Sequence, residues 1–121
     1  MTNYVGTDII EIARIRQAID RWGKRFLRRI YTGAELSLYG KRIPSLAARF
    51  ACKEAIMKLL EAKYKGISWQ DIEILSYHSG KPQLKLHGRA QSEAKNLGIK
   101  DIAISLSHSR EYAIATAVGT N

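Results

Sequence analysis

From Ser45 to Tyr64 the apolar residues fall on two sides of one helix, and nothing else in the chain limits the fold as strongly. At 3.6 residues per turn, Ala48, Ala51, Cys52, Ala55, Ile56 and Leu59 form a stripe of mostly small side chains suited to close packing. Leu46, Phe50, Met57 and Leu60 form a second stripe. Both need cover, which points to a central helix. Glu54 and Lys58 fall in the seam between the stripes. A carboxylate there is partly desolvated unless a cation or a donor satisfies it. One reading makes Lys58 an ordinary i,i+4 partner that stabilises the helix by roughly 0.2–0.5 kcal/mol. The other makes the seam a place for chemistry.

A second acid lies near the N-terminus, where Tyr4-Val5-Gly6-Thr7-Asp8-Ile9-Ile10-Glu11-Ile12 reads as a buried strand running into an amphipathic helix. Asp8 is expected at the junction. With Glu11 it has the spacing of a capping box, so it either satisfies the first free N–H groups of the helix or joins Glu54 in a site. Further on, Thr32-Gly33-Ala34-Glu35 predicts a short helix through Leu38, and Pro44-Ser45 opens the long one. Trp69 to Tyr77 alternates, with Ile72 and Ile74 on one side, and Ser79-Gly80-Lys81-Pro82 turns it back into Gln83 to His87. A helix from Arg89 to Asn96, stopped by Gly98, leads to a second hairpin of Ile102 to Ser107 and Tyr112 to Val118. This order predicts an α+β fold with an antiparallel sheet packed on a long central helix.

A chain of 121 residues with 45% hydrophobic content is expected to form a single domain, 1–121. No apolar run approaches the roughly 18 residues of a membrane span, and no signal-peptide pattern opens the chain, so a cytoplasmic protein is expected. Cys52, the only cysteine, is expected to be a packed core thiol. The formal charge of +9 calls for an acidic partner. Arg14, Arg21, Arg25 and Arg28 share one face if the first helix continues through Gly23, with Lys24 and Arg29 beside them, while Ile12, Ile15, Ala18, Ile19 and Trp22 face the core. Such a face suits a phosphate backbone, an acidic protein helix, or solvent alone.

Four segments in this order resemble the small, bacterial-type holo-(acyl-carrier-protein) synthases of the 4′-phosphopantetheinyl transferase superfamily. Gly6 to Ile12 is similar to that family's opening strand, and Arg49-Phe50-Ala51-Cys52-Lys53-Glu54-Ala55 with Lys58 is similar to its signature helix. Gly80-Lys81-Pro82 matches its hairpin turn, and Ser105 to Ala113 its closing hairpin. The resemblance implies transfer of the phosphopantetheine arm of coenzyme A to a serine of an apo acyl carrier protein, with release of adenosine 3′,5′-bisphosphate. It implies Mg2+ held by Asp8 and Glu54, with Glu54, Lys58 and Asp8 as the catalytic set. Water would fill the place of a third acid, which the larger, surfactin-type branch carries where this chain has Ile10. Glu54 or a metal-held water would serve as base, and Lys58 would meet the departing phosphate. Toward coenzyme A it implies Arg49 ahead of Lys53, together with Phe50, Pro82 near the adenine, and His108 and Ser109 near the 3′-phosphate. Arg14, Arg21, Arg25 and Arg28 would dock the carrier protein, in a homotrimer with sites between subunits and with no part for nucleic acid or membrane. One departure stands out: Glu61-Ala62-Lys63-Tyr64-Lys65-Gly66 replaces the family's Gly-Thr-Gly-like segment, so either the helix runs longer or the phosphopantetheine contacts differ.

Overall fold

Small side chains on both partners let the long helix settle onto the sheet. The computed structural model describes residues 3–61 and 66–121. Strands β1 (Asn3–Glu11), β4 (Asp101–His108) and β5 (Tyr112–Thr120) form an antiparallel sheet in the order β1-β5-β4, with β2 (Ile72–Ser76) and β3 (Pro82–Leu86) pairing as a separate hairpin. Helix α4 (Ile43–Leu59) lies across the three-stranded sheet, packed on β1 and β5. On β5, Ala113, Ala115 and Ala117 point inward and are buried. On β1, Gly6 is buried so close to α4 that a Cβ there would collide with the Ala55 carbonyl oxygen. Only glycine allows that approach. The expected α+β architecture is present, and the element order agrees with it throughout.

Around α4 stand α1 (Ile12–Trp22), α2 (Lys24–Ile30) and α3 (Gly33–Tyr39), with α5 (Gly88–Asn96) beside the β2–β3 hairpin. The Thr32–Glu35 capping box forms as expected: the Glu35 N–H donates to the Thr32 hydroxyl at 3.1 Å and the Thr32 N–H donates to the Glu35 carboxylate at 2.8 Å. Two apolar clusters flank α4. One joins Ala51, Cys52, Ala55, Ile56 and Leu59 to Ile72, Ile74, Ala115 and Ala117; the other joins Leu46, Ala47 and Ala48 to Ile12, Ile15 and Tyr31. Cys52 is buried, and burial pushes its thiol up to about 12.

Several expectations are corrected. β1 continues to Glu11, so Asp8 lies inside a strand, and α1 begins without a side-chain cap. The first helix does not continue through Gly23, which takes φ 56° and separates α1 from α2. Arg14 and Arg21 therefore sit on one helix, Arg25 and Arg28 on another. Trp22 is not in the core; it is 51% exposed at the helix end that the break creates. The second stripe of α4 is covered by the chain itself, with Leu46 and Leu60 buried and Phe50 and Met57 partly so. The uncovered apolar surface lies instead on the outer face of the sheet, where Val5 opposes Val118 and Ile9 opposes Ile114. Helix α4 ends at Leu59, and residues 62–65 of the Gly-Thr-Gly-like stretch lie outside the described residues.

Candidate active site

The close approach of β1 to α4 brings Asp8 next to the seam of the long helix. Asp8, Glu54, Arg14, Ala18, Phe26 and Phe50 line one pocket of about 310 Å³. At its edge the Lys58 ammonium donates to Asp8 Oδ1 at 3.1 Å and to the Thr7 carbonyl at 3.0 Å. Lys58 thus pairs across to β1, and no ion pair links it to Glu54 among the described residues. Spacing alone pointed to Glu54 because it is the nearest acid along the helix; the strand supplies a nearer one in space.

Among the described residues, Glu54 is the member of the set without an ion pair. Desolvation first, and the Asp8 carboxylate second, hold its pKa above the ordinary carboxylate range, with Lys58 opposing them. Two carboxylates line one pocket, and the repulsion by which Asp8 raises the Glu54 pKa is what a hard cation would relieve. Magnesium takes one or two protein carboxylates and completes its shell with waters and substrate phosphates. Asp8 and Glu54 fit that requirement.

Of the other expected residues, Phe50 and Arg14 line the same pocket and the rest lie elsewhere. Arg49 is buried behind the pocket: its Nε donates to the Ile74 carbonyl at 3.0 Å, and its guanidinium carbon sits 3.4 Å from the centroid of the Tyr39 ring. Phe50 stacks on Trp69 at 5.1 Å between centroids. Lys53 is corrected from a coenzyme A contact to an internal strut. It is fully buried, donating to Glu35 Oε1 at 2.8 Å, to the Ile72 carbonyl at 2.5 Å and to the Trp69 carbonyl at 3.2 Å. An ammonium so committed has no reach to a ligand. The sequence reading missed its partner Glu35, whose other oxygen accepts the Ile74 N–H at 2.9 Å, because the capping box already accounted for that residue.

His108 ends β4 and lines a groove of about 570 Å³ with Arg16, Lys41, Arg42 and Ser45. These three cations escaped the sequence reading, since they are scattered along the chain. The Ser109 hydroxyl accepts the Tyr112 N–H at 3.2 Å inside the β4–β5 turn. Pro82 starts β3 and borders a third groove, of about 480 Å³, with Tyr77, Lys81 and Lys100. Arg14, Arg21, Arg25 and Arg28 are all exposed. Within one chain, then, the acids, the His108 groove and the Pro82 groove line separate pockets.

Residues 4–117 match the 4′-phosphopantetheinyl transferase superfamily. A holo-[acyl-carrier-protein] synthase of Dehalococcoides mccartyi is 58% identical over 115 residues, covering 95% of this chain and 96% of the relative. One from Herpetosiphon aurantiacus is 49% identical, covering 94% and 95%. Among solved structures, the Helicobacter pylori holo-[acyl-carrier-protein] synthase in complex with coenzyme A is similar with a TM-score of 0.86 and 32% identity, over 96% of this chain and 99% of that one.

Proposed function

Given that the chain belongs to the 4′-phosphopantetheinyl transferase superfamily, we propose that the Asp8, Glu54 and Lys58 pocket is the site where it transfers 4′-phosphopantetheine from coenzyme A to a serine of an apo acyl carrier protein. The observation that carries this assignment is the pair of carboxylates sharing one pocket with a lysine bridged between β1 and α4. Asp8 and Glu54 would hold Mg2+, which when bound offsets the charge that builds on the pyrophosphate during attack.

The protein's own groups do the rest. Glu54, or a water beside it, takes the proton of the serine hydroxyl. The serine oxygen then bonds to the phosphorus that carries the pantetheine, the bond from that phosphorus to the bridging oxygen breaks, and adenosine 3′,5′-bisphosphate leaves. Lys58, 56% exposed and oriented by Asp8 and the Thr7 carbonyl, places a positive charge beside the departing phosphate. Phe26 and Phe50 give the pocket apolar walls that limit water.

The nucleotide phosphates are assigned to the groove of Arg16, Lys41, Arg42 and His108, where the basic groups converge, and Pro82 to the adenine side. Because these grooves and the acids are separate within one chain, the complete site is read as shared between subunits. The outer sheet face, with Val5, Ile9, Ile114 and Val118 exposed, supports a homotrimer built there. Arg14, Arg21, Arg25 and Arg28 form the docking surface for an acidic carrier protein rather than for polynucleotide, since Arg14 enters the wall of the acid pocket. No helix among the described residues is long and apolar enough to cross a membrane, and we place the activity in the cytoplasm as one domain, 1–121.

Intact-mass spectrometry of an apo acyl carrier protein incubated with coenzyme A, Mg2+ and this protein tests the reading. A phosphopantetheine mass gain is expected with the native chain and not with Asp8→Ala or Glu54→Ala. A native chain that modifies none of several carriers overturns it.

A further inference from the structure

Helix α3 ends on Tyr39, a large aromatic residue only 6% exposed, and two arginines meet its ring. The Arg49 guanidinium carbon lies 3.4 Å from the ring centroid and the Arg42 carbon 5.7 Å from it. Arg49 is buried on α4, whereas Arg42, which precedes α4, is exposed and lines the groove with Arg16, Lys41 and His108. Among the described residues neither arginine has an ion pair with a carboxylate. Like charges that converge without a counter-charge repel, so the negative face of the ring is what holds both in place. The ring is itself fixed: the Tyr39 and Ser76 hydroxyls share a hydrogen bond of 2.6 Å, and the Arg42 N–H donates to the Tyr39 carbonyl at 2.9 Å. Arg49 is also held by its Nε on the Ile74 carbonyl. The only other hydrogen bond of the Arg42 side chain among the described residues is a long one, 3.4 Å, to the Leu38 carbonyl.

We propose that Tyr39 is a positioning residue for the nucleotide phosphates, its ring holding the Arg42 guanidinium at the groove before the ligand arrives. Tyr39 acts through Arg42 and touches no ligand. This inference rests on the assignment of that groove to the phosphates of coenzyme A. A long arginine side chain loses rotamer freedom when it clamps an anion, and a ring that restricts it beforehand lowers that cost. Arg49 supports the same end from behind, since its Nη1 reaches the carbonyl of Ser45, another lining residue, at 3.4 Å and adds positive charge there.

Calorimetric titration of adenosine 3′,5′-bisphosphate into the native chain and its variants tests the role. Tyr39→Leu should weaken binding about fivefold, as loss of one cation–π contact implies, whereas Tyr39→Phe keeps the ring and should bind within about twofold of the native chain. Adding Tyr39→Leu to Arg42→Gln should cost less than about a further twofold, because no guanidinium is left to position. In steady-state transfer, Tyr39→Leu should raise KM for coenzyme A about fivefold and change kcat and KM for the apo carrier less than about twofold. A readout that needs no core substitution is proton NMR of the ligand-free native chain. Side-chain signals assigned to Arg42 by their loss in Arg42→Gln should be shifted upfield by the ring. Equal weakening by Tyr39→Phe and Tyr39→Leu, losses that add to that of Arg42→Gln, or unshifted Arg42 signals each overturn the inference and leave the transferase reading intact. A native chain that binds the bisphosphate but forms no holo carrier overturns the transferase reading, and the variants still decide the role of Tyr39. A native chain that does not bind the bisphosphate overturns the assignment of the groove and this inference with it.

Discussion

At Glu54 the role proposed for the site and the stability of the fold pull in opposite directions. Its folded pKa lies above its unfolded value because of burial and Asp8. The folded chain therefore holds the Glu54 proton more tightly than the unfolded chain does. Stability from this group is complete below the unfolded pKa, near 4.5, and is lost as pH rises through the folded pKa. Glu54→Gln should accordingly stabilise the metal-free protein at pH 7 and have little effect at about pH 4. Urea unfolding at the two pH values checks this, and an equal effect at both would refute the electrostatic account. Mg2+ should stabilise the native chain by about 2.7 kcal/mol at a hundred times Kd, read as a higher Tm, and should not do so for Glu54→Gln with Asp8→Asn. Sequence pattern identified these acids as candidates, since both sit at breaks in apolar runs. It could not pair Lys58 with Asp8, because that contact spans 50 positions of the chain.

At the scale of elements, the angle and depth of α4 against the sheet decide whether the acids meet. Gly6→Ala should destabilise the fold by about 3 kcal/mol, since the new methyl meets backbone that cannot turn aside. Chemical denaturation measures the loss, and a cost under about 1 kcal/mol would mean that β1 and α4 separate easily. The Lys53–Glu35 pair ties α4 to α3 and, through backbone groups, to β2. Lys53→Met leaves the Glu35 carboxylate buried without its cation and should cost about 3–5 kcal/mol. KM for coenzyme A should stay nearly constant in whatever protein folds, which separates a strut from a ligand contact. The capping box, both hairpins and the small-residue stripe were legible from local spacing. The Lys53 role was not: a lysine next to Glu54 looks equally available on paper, and only packing shows its ammonium held by two strand and turn carbonyls.

For the whole molecule, β5 reverses the usual size order by burying Ala113, Ala115 and Ala117 and exposing Ile114 and Val118. The small side chains admit α4, and the large ones stay exposed on the outer face, where the proposed trimer would form. Ile9→Glu with Ile114→Glu should convert a trimer to monomers on light scattering after size exclusion and abolish transfer, because the nucleotide groove and the acids would no longer belong to one site. A monomeric native chain with full activity would refute the shared site.

The sequence by itself determined the order of elements, the α+β class and the central helix, because periodicity, caps and turns act within a few residues. It also held Asp8, Glu54 and Lys58 in the pattern that signals the family. Only the tertiary structure decided which charges pair and which side chains remain uncovered. It set Asp8 inside β1, bridged it to Lys58, closed Lys53 into the core, and broke the arginine helix at Gly23 so that Trp22 faces water. Those outcomes depend on distances between segments far apart in the chain, and such distances exist only after β1 has settled against α4.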